Sequence, residues 1–162
     1  MKLLLYSIFL VFLAPCNKEK SIAKTTDNNS SVVITFQTTA CFGKCPIFTL
    51  TIKGEDKTAV FKGVENTEKI GMYSKPITTK ELGEFVKAFE DAKFNSLDDE
   101  YLGHITDFPI KTITYTKDGK TKKVRERSGA PVELTNLVKM LNAYAISETG
   151  WKKMEGSSNS QD

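Results

Sequence analysis

The chain has 162 residues, of which 40% are hydrophobic and 27% are charged. This length and composition are sufficient for one globular core, and they exclude a chain that is disordered throughout. The formal net charge of +3 falls to +2 without residues 1–15, which carry one lysine, and is too small to indicate a particular charged partner.

The first sixteen residues, MKLLLYSIFLVFLAPC, have the pattern of an export signal. Lys2 provides a positive start, and a run of twelve mostly apolar residues follows it. Twelve helical residues span about 18 Å, which is much less than the roughly 30 Å of a membrane's hydrocarbon core. Residues 1–15 are therefore predicted to be a signal peptide and not a membrane-spanning helix.

The end of this segment, LAPC, resembles the lipobox of bacterial lipoproteins, whose cysteine is acylated and becomes the new N-terminus. Pro15 departs from that pattern, which has Gly, Ala or Ser at this position. The resemblance implies a lipid at Cys16 and anchoring in the bacterial cell envelope, at the outer membrane or in the periplasm. If the lipobox is not used, the protein is secreted. Residues 16–30 are polar and are predicted to be a flexible tether.

Residues 31–148 are predicted to form a single domain that begins with four β-strands. The segments SVVITFQ, PIFTLTIKG, TAVFKGV and EKIGMYS have the alternation of apolar and polar residues that is typical of strands. In the second segment, Phe48, Leu50 and Ile52 are expected to face the core. The four strands are expected to form an antiparallel meander with one face exposed to water.

The second half of the domain is predicted to contain two helices and a hairpin. The segment TTKELGEFVKAFEDAKF has the apolar spacing of a helix, and Thr78 and Glu81 have the spacing of a capping box. The segments FPIKTITYT and KTKKVRERS flank an Asp-Gly pair, which favours a type I′ hairpin. APVELTNLVKMLNAYA predicts the second helix, and residues 149–162 are expected to be disordered.

These elements together predict an α+β fold of order ββββ-α-ββ-α. The antiparallel sheet is expected to have about six strands, with both helices packed on one face.

The run ACFGKCP at residues 40–46 resembles an uncharacterised bacterial envelope-lipoprotein family with an A-C-x-G-x-C-P motif near the start of a small α+β domain. Two later segments fit the same pattern, TDFP at 106–109 and GAP at 129–131. The resemblance covers residues 31–146. It implies a fold and an envelope location, and it implies no activity because the family is a domain of unknown function.

Cys41 and Cys45 allow two interpretations. They can form a disulfide if the chain turns enough to bring their Cα atoms within about 4.4–6.8 Å, and Gly43 would permit an unusual φ in that turn. A lipidated Cys16 would leave these two cysteines as a pair. The alternative is a copper or thiol-redox site with His104, because Cys-x₃-Cys-Pro is also similar to the motif of Sco-type copper chaperones. We predict the disulfide and no cofactor.

The hairpin carries the densest positive charge, and Lys122, Lys123, Arg125 and Arg127, with Asp107 nearby, form a candidate partner surface. Basic residues of this kind either protect a sheet edge or contact an anionic partner. Because the sequence has no nucleophile elbow, phosphate loop or calcium-loop spacing, we predict a non-enzymatic, monomeric binding module. Its partner is expected to be a protein, peptide or glycan, and nucleic acid is not expected.

Overall fold

The computed structural model describes residues 29–155. The predicted signal peptide, Cys16, the tether up to residue 28 and the tail from residue 156 lie outside the described residues. Across residues 29–155, every helix is too short or too polar to cross a membrane.

The described residues form eight β-strands, two α-helices and one short 3-10 helix, and the fold is α+β as predicted. In chain order they are β1 (Val33–Thr38), β2 (Ile47–Lys53), β3 (Thr58–Glu65), β4 (Gly71–Pro76), α1 (Thr79–Asp91), the 3-10 helix (Phe94–Ser96), β5 (Glu100–Tyr101), β6 (Lys111–Lys117), β7 (Lys120–Glu126), α2 (Val132–Ile146) and β8 (Lys152–Lys153).

The strands form one mixed sheet in the order β5-β7-β6-β1-β2-β3-β4-β8. All neighbouring pairs are antiparallel except β5 and β7, which are parallel. The prediction of about six strands is therefore too low, and a purely antiparallel sheet is wrong. The two additional strands have two residues each and lie at the outer edges, and segments this short show no periodicity.

Strand pairing aligns the apolar residues on one face of the sheet. Phe36 of β1 lies opposite Leu50 of β2 and Ile113 of β6, and all three side chains are buried. The predicted inward positions Phe48 and Ile52 are buried as well. Because side chains alternate along a strand, a one-residue slip would move this whole apolar set into water.

Both helices contribute to the same core as the sheet. The predicted apolar face of α1 is buried, and so is that of α2: Leu82, Phe85, Val86 and Phe89 in the first, and Leu134, Leu137, Val138 and Leu141 in the second. The ring of Phe85 in α1 meets that of Tyr144 in α2 edge-on, with centroids 5.0 Å apart.

The start of α1 is fixed by the predicted capping box. The hydroxyl oxygen of Thr78 accepts the backbone N–H of Glu81 at 3.1 Å, and the carboxylate of Glu81 accepts the backbone N–H of Thr78 at 2.8 Å. These bonds satisfy donors that a helix start leaves without partners. The hydrogen bonds from Thr78 also lower the pKa of Glu81.

The hairpin between β6 and β7 is also confirmed. Asp118 and Gly119 have φ values of +51° and +74°, and both central residues of a type I′ turn require positive φ. Lys117 lies opposite Lys120, so the loop has two residues.

The segment predicted to be a disordered tail, which starts at residue 149, is described as far as residue 155, and there Trp151 packs against the core. Its ring contacts those of Phe61 and Tyr144, with centroid separations of 5.7 and 6.2 Å. The ammonium group of Lys75 lies over the rings of Tyr144 and Trp151, at 3.7 and 4.9 Å from their centroids. β8 then pairs with β4, which extends the sheet.

We predict that Thr78→Ala lowers the free energy of unfolding by about 1 kcal/mol near neutral pH, because the substitution removes the cap. The folded-state pKa of Glu81 lies below the ordinary 4.5. The stabilisation from Glu81 is therefore fully present above that value and is lost as the pH falls through the lowered pKa. Urea unfolding from pH 7 to pH 3 should show the difference between wild type and variant shrinking on the acidic side.

Thr79→Ala is the matched control, since Thr79 is exposed and its hydroxyl accepts a hydrogen bond from the Lys57 ammonium without capping the helix. We expect this variant to unfold within about 0.5 kcal/mol of wild type. Equal losses in the two variants at every pH would contradict the role of the cap.

Candidate functional site

A cleft of about 670 Å³ lies between α2 and one end of the sheet. The sheet contributes Thr38 at the end of β1, Phe48 near the start of β2, Lys111 at the start of β6 and Glu126 at the end of β7. These positions come together because antiparallel neighbours place the end of one strand beside the start of the next.

The helical wall of the cleft comes from one face of α2. Thr135, Val138, Lys139 and Asn142 line it, and their spacing of three and four residues places them on the same side of the helix. Lys139 is exposed, whereas Asn142 is partly buried.

The loops around the cleft contain the three segments that the sequence analysis singled out. Cys45 and Pro46 come from ACFGKCP, Phe108 and Pro109 from TDFP, and Gly129 and Ala130 from GAP. Segments separated by more than 80 residues in the chain therefore form one rim.

Backbone hydrogen bonds hold the first two segments against each other. The N–H of Phe42 donates to the carbonyl of Asp107 at 3.2 Å. The N–H of Thr39 donates to the carbonyl of Ile110, and the N–H of Ile110 donates to the hydroxyl of Thr39, at 3.1 and 3.0 Å. Asp107 thus contributes its backbone carbonyl to the contact between the two loops, and these hydrogen bonds join the loops beside the cleft.

The third segment packs against the loop that follows β5. The hydroxyl of Ser128 donates to the carbonyl of Leu102 at 3.4 Å. A Cβ added at Gly103 would clash with the Ser128 hydroxyl, so a larger residue there would displace this hydroxyl from its place beside Leu102. Gly103 also has a φ of +52°.

Cys41 and Cys45 are joined by the predicted disulfide, with Cα atoms 5.7 Å apart. The bond closes the connection between β1 and β2. At its base, the buried Thr38 hydroxyl donates to the carbonyl of Pro46 at 2.6 Å and accepts the N–H of Phe48 at 3.1 Å. Gly43 does not have positive φ, so this turn does not use the unusual backbone conformation that glycine would permit.

The copper alternative has no set of donors in the described structure. His104 is exposed in the loop after β5, and both sulfur atoms are in the disulfide. Between residues 29 and 155, no three His, Cys, Asp or Glu side chains form a group that could hold a metal ion. The structure therefore does not bring His104 together with Cys41 and Cys45.

The candidate partner surface on the hairpin is largely paired with acidic residues of the same chain. Lys122 forms an ion pair with Asp99, and Arg125 forms one with Glu100. β5 lies outside β7, and the Arg125 N–H donates to the carbonyl of Asp99 at 2.8 Å, so β7 is not an open edge. Lys123 remains exposed.

Arg127, by contrast, lines the cleft. One of its terminal nitrogens reaches the carbonyl of Ile105 at 3.5 Å, and its buried Nε has no hydrogen-bond partner in the described structure. Of the four basic residues in the candidate partner surface, Arg127 is the one that lines the cleft.

The cleft contains a charged pair that the sequence analysis missed. The ammonium of Lys111 lies 2.7 Å from the carboxylate of Glu126, whose residue is only 7% exposed. A buried carboxylate requires such a partner, because removing either charge would leave the other uncompensated. The burial of Glu126 could have been predicted from the alternation of β7, because Glu126 lies two residues after the buried Val124 and on the same face of the strand.

The hydroxyl groups of the cleft are used for structure. Those of Thr38, Ser128 and Thr135 each donate to a backbone carbonyl, and the Glu126 carboxylate is held by Lys111. Apolar walls combined with a few polar groups are typical of binding sites.

We predict that replacing both Cys41 and Cys45 by serine lowers the free energy of unfolding by about 2 kcal/mol, because a five-residue loop restricts the unfolded chain only modestly. Urea unfolding of the oxidised protein measures this loss. Lys44→Ala, within the same loop, is the control and should unfold like wild type. Equal stability of the double-serine variant and wild type would show that the bond does not hold the native loop.

Residues 32–145 match the protein family described as "Domain of unknown function (DUF6438)". The match includes β1 to β7 and all but the last residue of α2, so it contains every segment that lines the cleft. A comparison with curated proteins gives no match. The envelope location implied by the sequence resemblance stays a prediction. Because the match spans well over half of the 162 residues, the chain belongs to this family of domains of unknown function.

Proposed function

We propose that this protein is a non-enzymatic binding module of the bacterial cell envelope, and that its ligand occupies the cleft between α2 and the sheet. The observation that carries the proposal is the convergence of ACFGKCP, TDFP and GAP on this one cleft. Three segments far apart in the chain contribute neighbouring parts of one concave surface, which is what a binding site assembled by folding requires.

The size and lining of the cleft support a ligand of a few residues or sugar units. Its volume of about 670 Å³ lies within the range of roughly 300–1,000 Å³ that is usual for ligand sites. Phe48, Val138 and Pro109 provide apolar walls, and Lys139 and Asn142 provide polar groups on α2.

The rim is held rigidly, which supports binding without a large change of shape. The disulfide closes one side, and the hydrogen bonds from Phe42 and Thr39 fasten the neighbouring loop. A preformed site loses little conformational freedom when a ligand enters, so more of the contact energy appears as affinity.

The proposed location rests on the export signal and lipobox in the sequence, which include Cys16. The Cys41–Cys45 disulfide supports it, because disulfides persist in oxidising compartments such as the periplasm. The lipid would then be the contact with the membrane, and the cleft would bind a protein, peptide or glycan.

Two adjacent residues of α2 offer a matched test. Asn142 lines the cleft, whereas Ala143 is exposed outside it. We predict that Asn142→Trp fills the cleft and abolishes ligand binding, and that Ala143→Trp leaves binding as in wild type. Saturation-transfer NMR with libraries of short peptides and of envelope oligosaccharides measures binding to all three proteins.

Ligands that bind wild type and Ala143→Trp but not Asn142→Trp would support the proposal. Ligands that bind all three proteins equally would place the site elsewhere. A complete absence of ligands in both libraries would contradict the binding role.

A further inference from the structure

The charges that line the cleft do not balance. Lys111, Arg127 and Lys139 are cationic, and Glu126 is the one carboxylate among the described lining residues. Glu126 is bound to Lys111 at 2.7 Å, so it does not compensate the other two cations.

Arg127 and Lys139 therefore line the cleft without an anionic partner among residues 29–155. The guanidinium of Arg127 makes one contact of 3.5 Å with a backbone carbonyl, and Lys139 forms no hydrogen bond or ion pair with any residue from 29 to 155. On the hairpin nearby, Lys122 and Arg125 do have carboxylate partners. The cations of the cleft differ from these in being available to an anionic group of a ligand.

The remainder of the cleft is suited to an apolar side chain beside that anion. Phe48, Val138 and Pro46 all line it, and Phe48 and Val138 are buried. A ligand that fits both features carries an apolar group close to a carboxylate, which is the chemistry of the last residue of a peptide.

The surface next to the cleft favours a peptide over a small free acid. Phe108 lines the cleft and is 53% exposed, and Phe42, whose N–H is bonded to the residue preceding Phe108, is 93% exposed. Large exposed rings beside a cleft can add to an interaction surface when a ligand covers them together. A peptide leaving the cleft can cover these rings, whereas a small acid would leave them in water.

We infer that the cleft binds the C-terminus of a peptide that ends in an apolar residue, with its free carboxylate held by Arg127 and Lys139. This inference rests on the binding role proposed above and adds the class of ligand. Capture of a C-terminal carboxylate is an established mode of peptide recognition, and a guanidinium binds a carboxylate with two parallel hydrogen bonds. The side-chain amide of Asn142 can pair with the peptide backbone.

The test is an NMR titration of the full-length chain, in mild detergent, with three probes. These are the peptide N-acetyl-Ser-Ala-Leu with a free C-terminus, the same peptide with a C-terminal amide, and 4-methylpentanoate, which carries the leucine side chain and a carboxylate without the peptide. We expect the free-acid peptide to shift the amide resonances of Ala130 and Val138, and the amidated peptide to bind at least about tenfold more weakly.

Three variants identify the cations. Lys139→Gln should weaken binding of the free acid about fivefold and Arg127→Gln about tenfold, with no change for the amide. Lys123→Gln is the control, since Lys123 is exposed on β7 outside the cleft, and it should bind like wild type. Arg127 also contacts a neighbouring loop, so Arg127→Gln could fail to fold. In that case Lys139→Gln, at an exposed site on α2, tests on its own whether a cation of the cleft holds the carboxylate.

If the free-acid and amidated peptides bind equally in the cleft, recognition of the carboxylate is excluded, whereas the proposed binding role is not. If 4-methylpentanoate binds as tightly as the peptide, the ligand need not be a peptide, and the inferred ligand class is wrong. If no probe shifts Ala130 or Val138, the inference fails, whereas the broader proposal fails only if no library ligand distinguishes Asn142→Trp from Ala143→Trp.

Discussion

The register of β1 between β2 and β6 is the constraint on which both the core and the cleft depend. Phe36 is buried because it lies opposite Leu50 and Ile113 on the same face of the sheet. The same pairing fixes where each strand ends, and the cleft is formed at those ends. Thr38, the last residue of β1, shows the connection directly, since its hydroxyl bonds both to the carbonyl of Pro46 and to the N–H of Phe48. A shift in register would therefore expose the core and separate the walls of the cleft together.

Charge pairing divides the positive side chains of the domain into two groups. Along β7, the acidic residues around β5 neutralise Lys122 and Arg125, and Lys111 neutralises the buried Glu126. Pairs at the surface contribute little to stability, but they settle which cations are available to a partner. Among the described residues that line the cleft, Arg127 and Lys139 have no carboxylate partner and lie beside apolar side chains, which is why we place the candidate site there and not on the basic hairpin.

Sequence periodicity predicted the elements that are long enough to repeat a pattern. The alternation of β2, the apolar faces of both helices, the capping box at Thr78 and the Asp-Gly turn all follow from residues close together in the chain. β5 and β8 could not be predicted, because a two-residue strand is defined by its partner and not by its own sequence. Trp151 illustrates the same limit. Its ring packs against those of Phe61 and Tyr144, and no periodic pattern in the sequence links it to either residue. The motifs indicated where the site lies, whereas Lys111, Glu126, Lys139 and Asn142 became candidates only when folding placed them side by side.

The disulfide has a larger effect on geometry than on stability. A loop of five residues restricts the unfolded chain little, so the bond is a weak stabiliser when compared with the buried core. Its position is more informative, because it holds Cys45 and Pro46 in the wall of the cleft while Phe42, between the two cysteines, is almost fully exposed. An aromatic ring in water adds no buried apolar surface to the isolated fold. If the binding role proposed above is correct, an exposed ring in a loop closed by a disulfide would leave less conformational freedom for a partner to remove on binding.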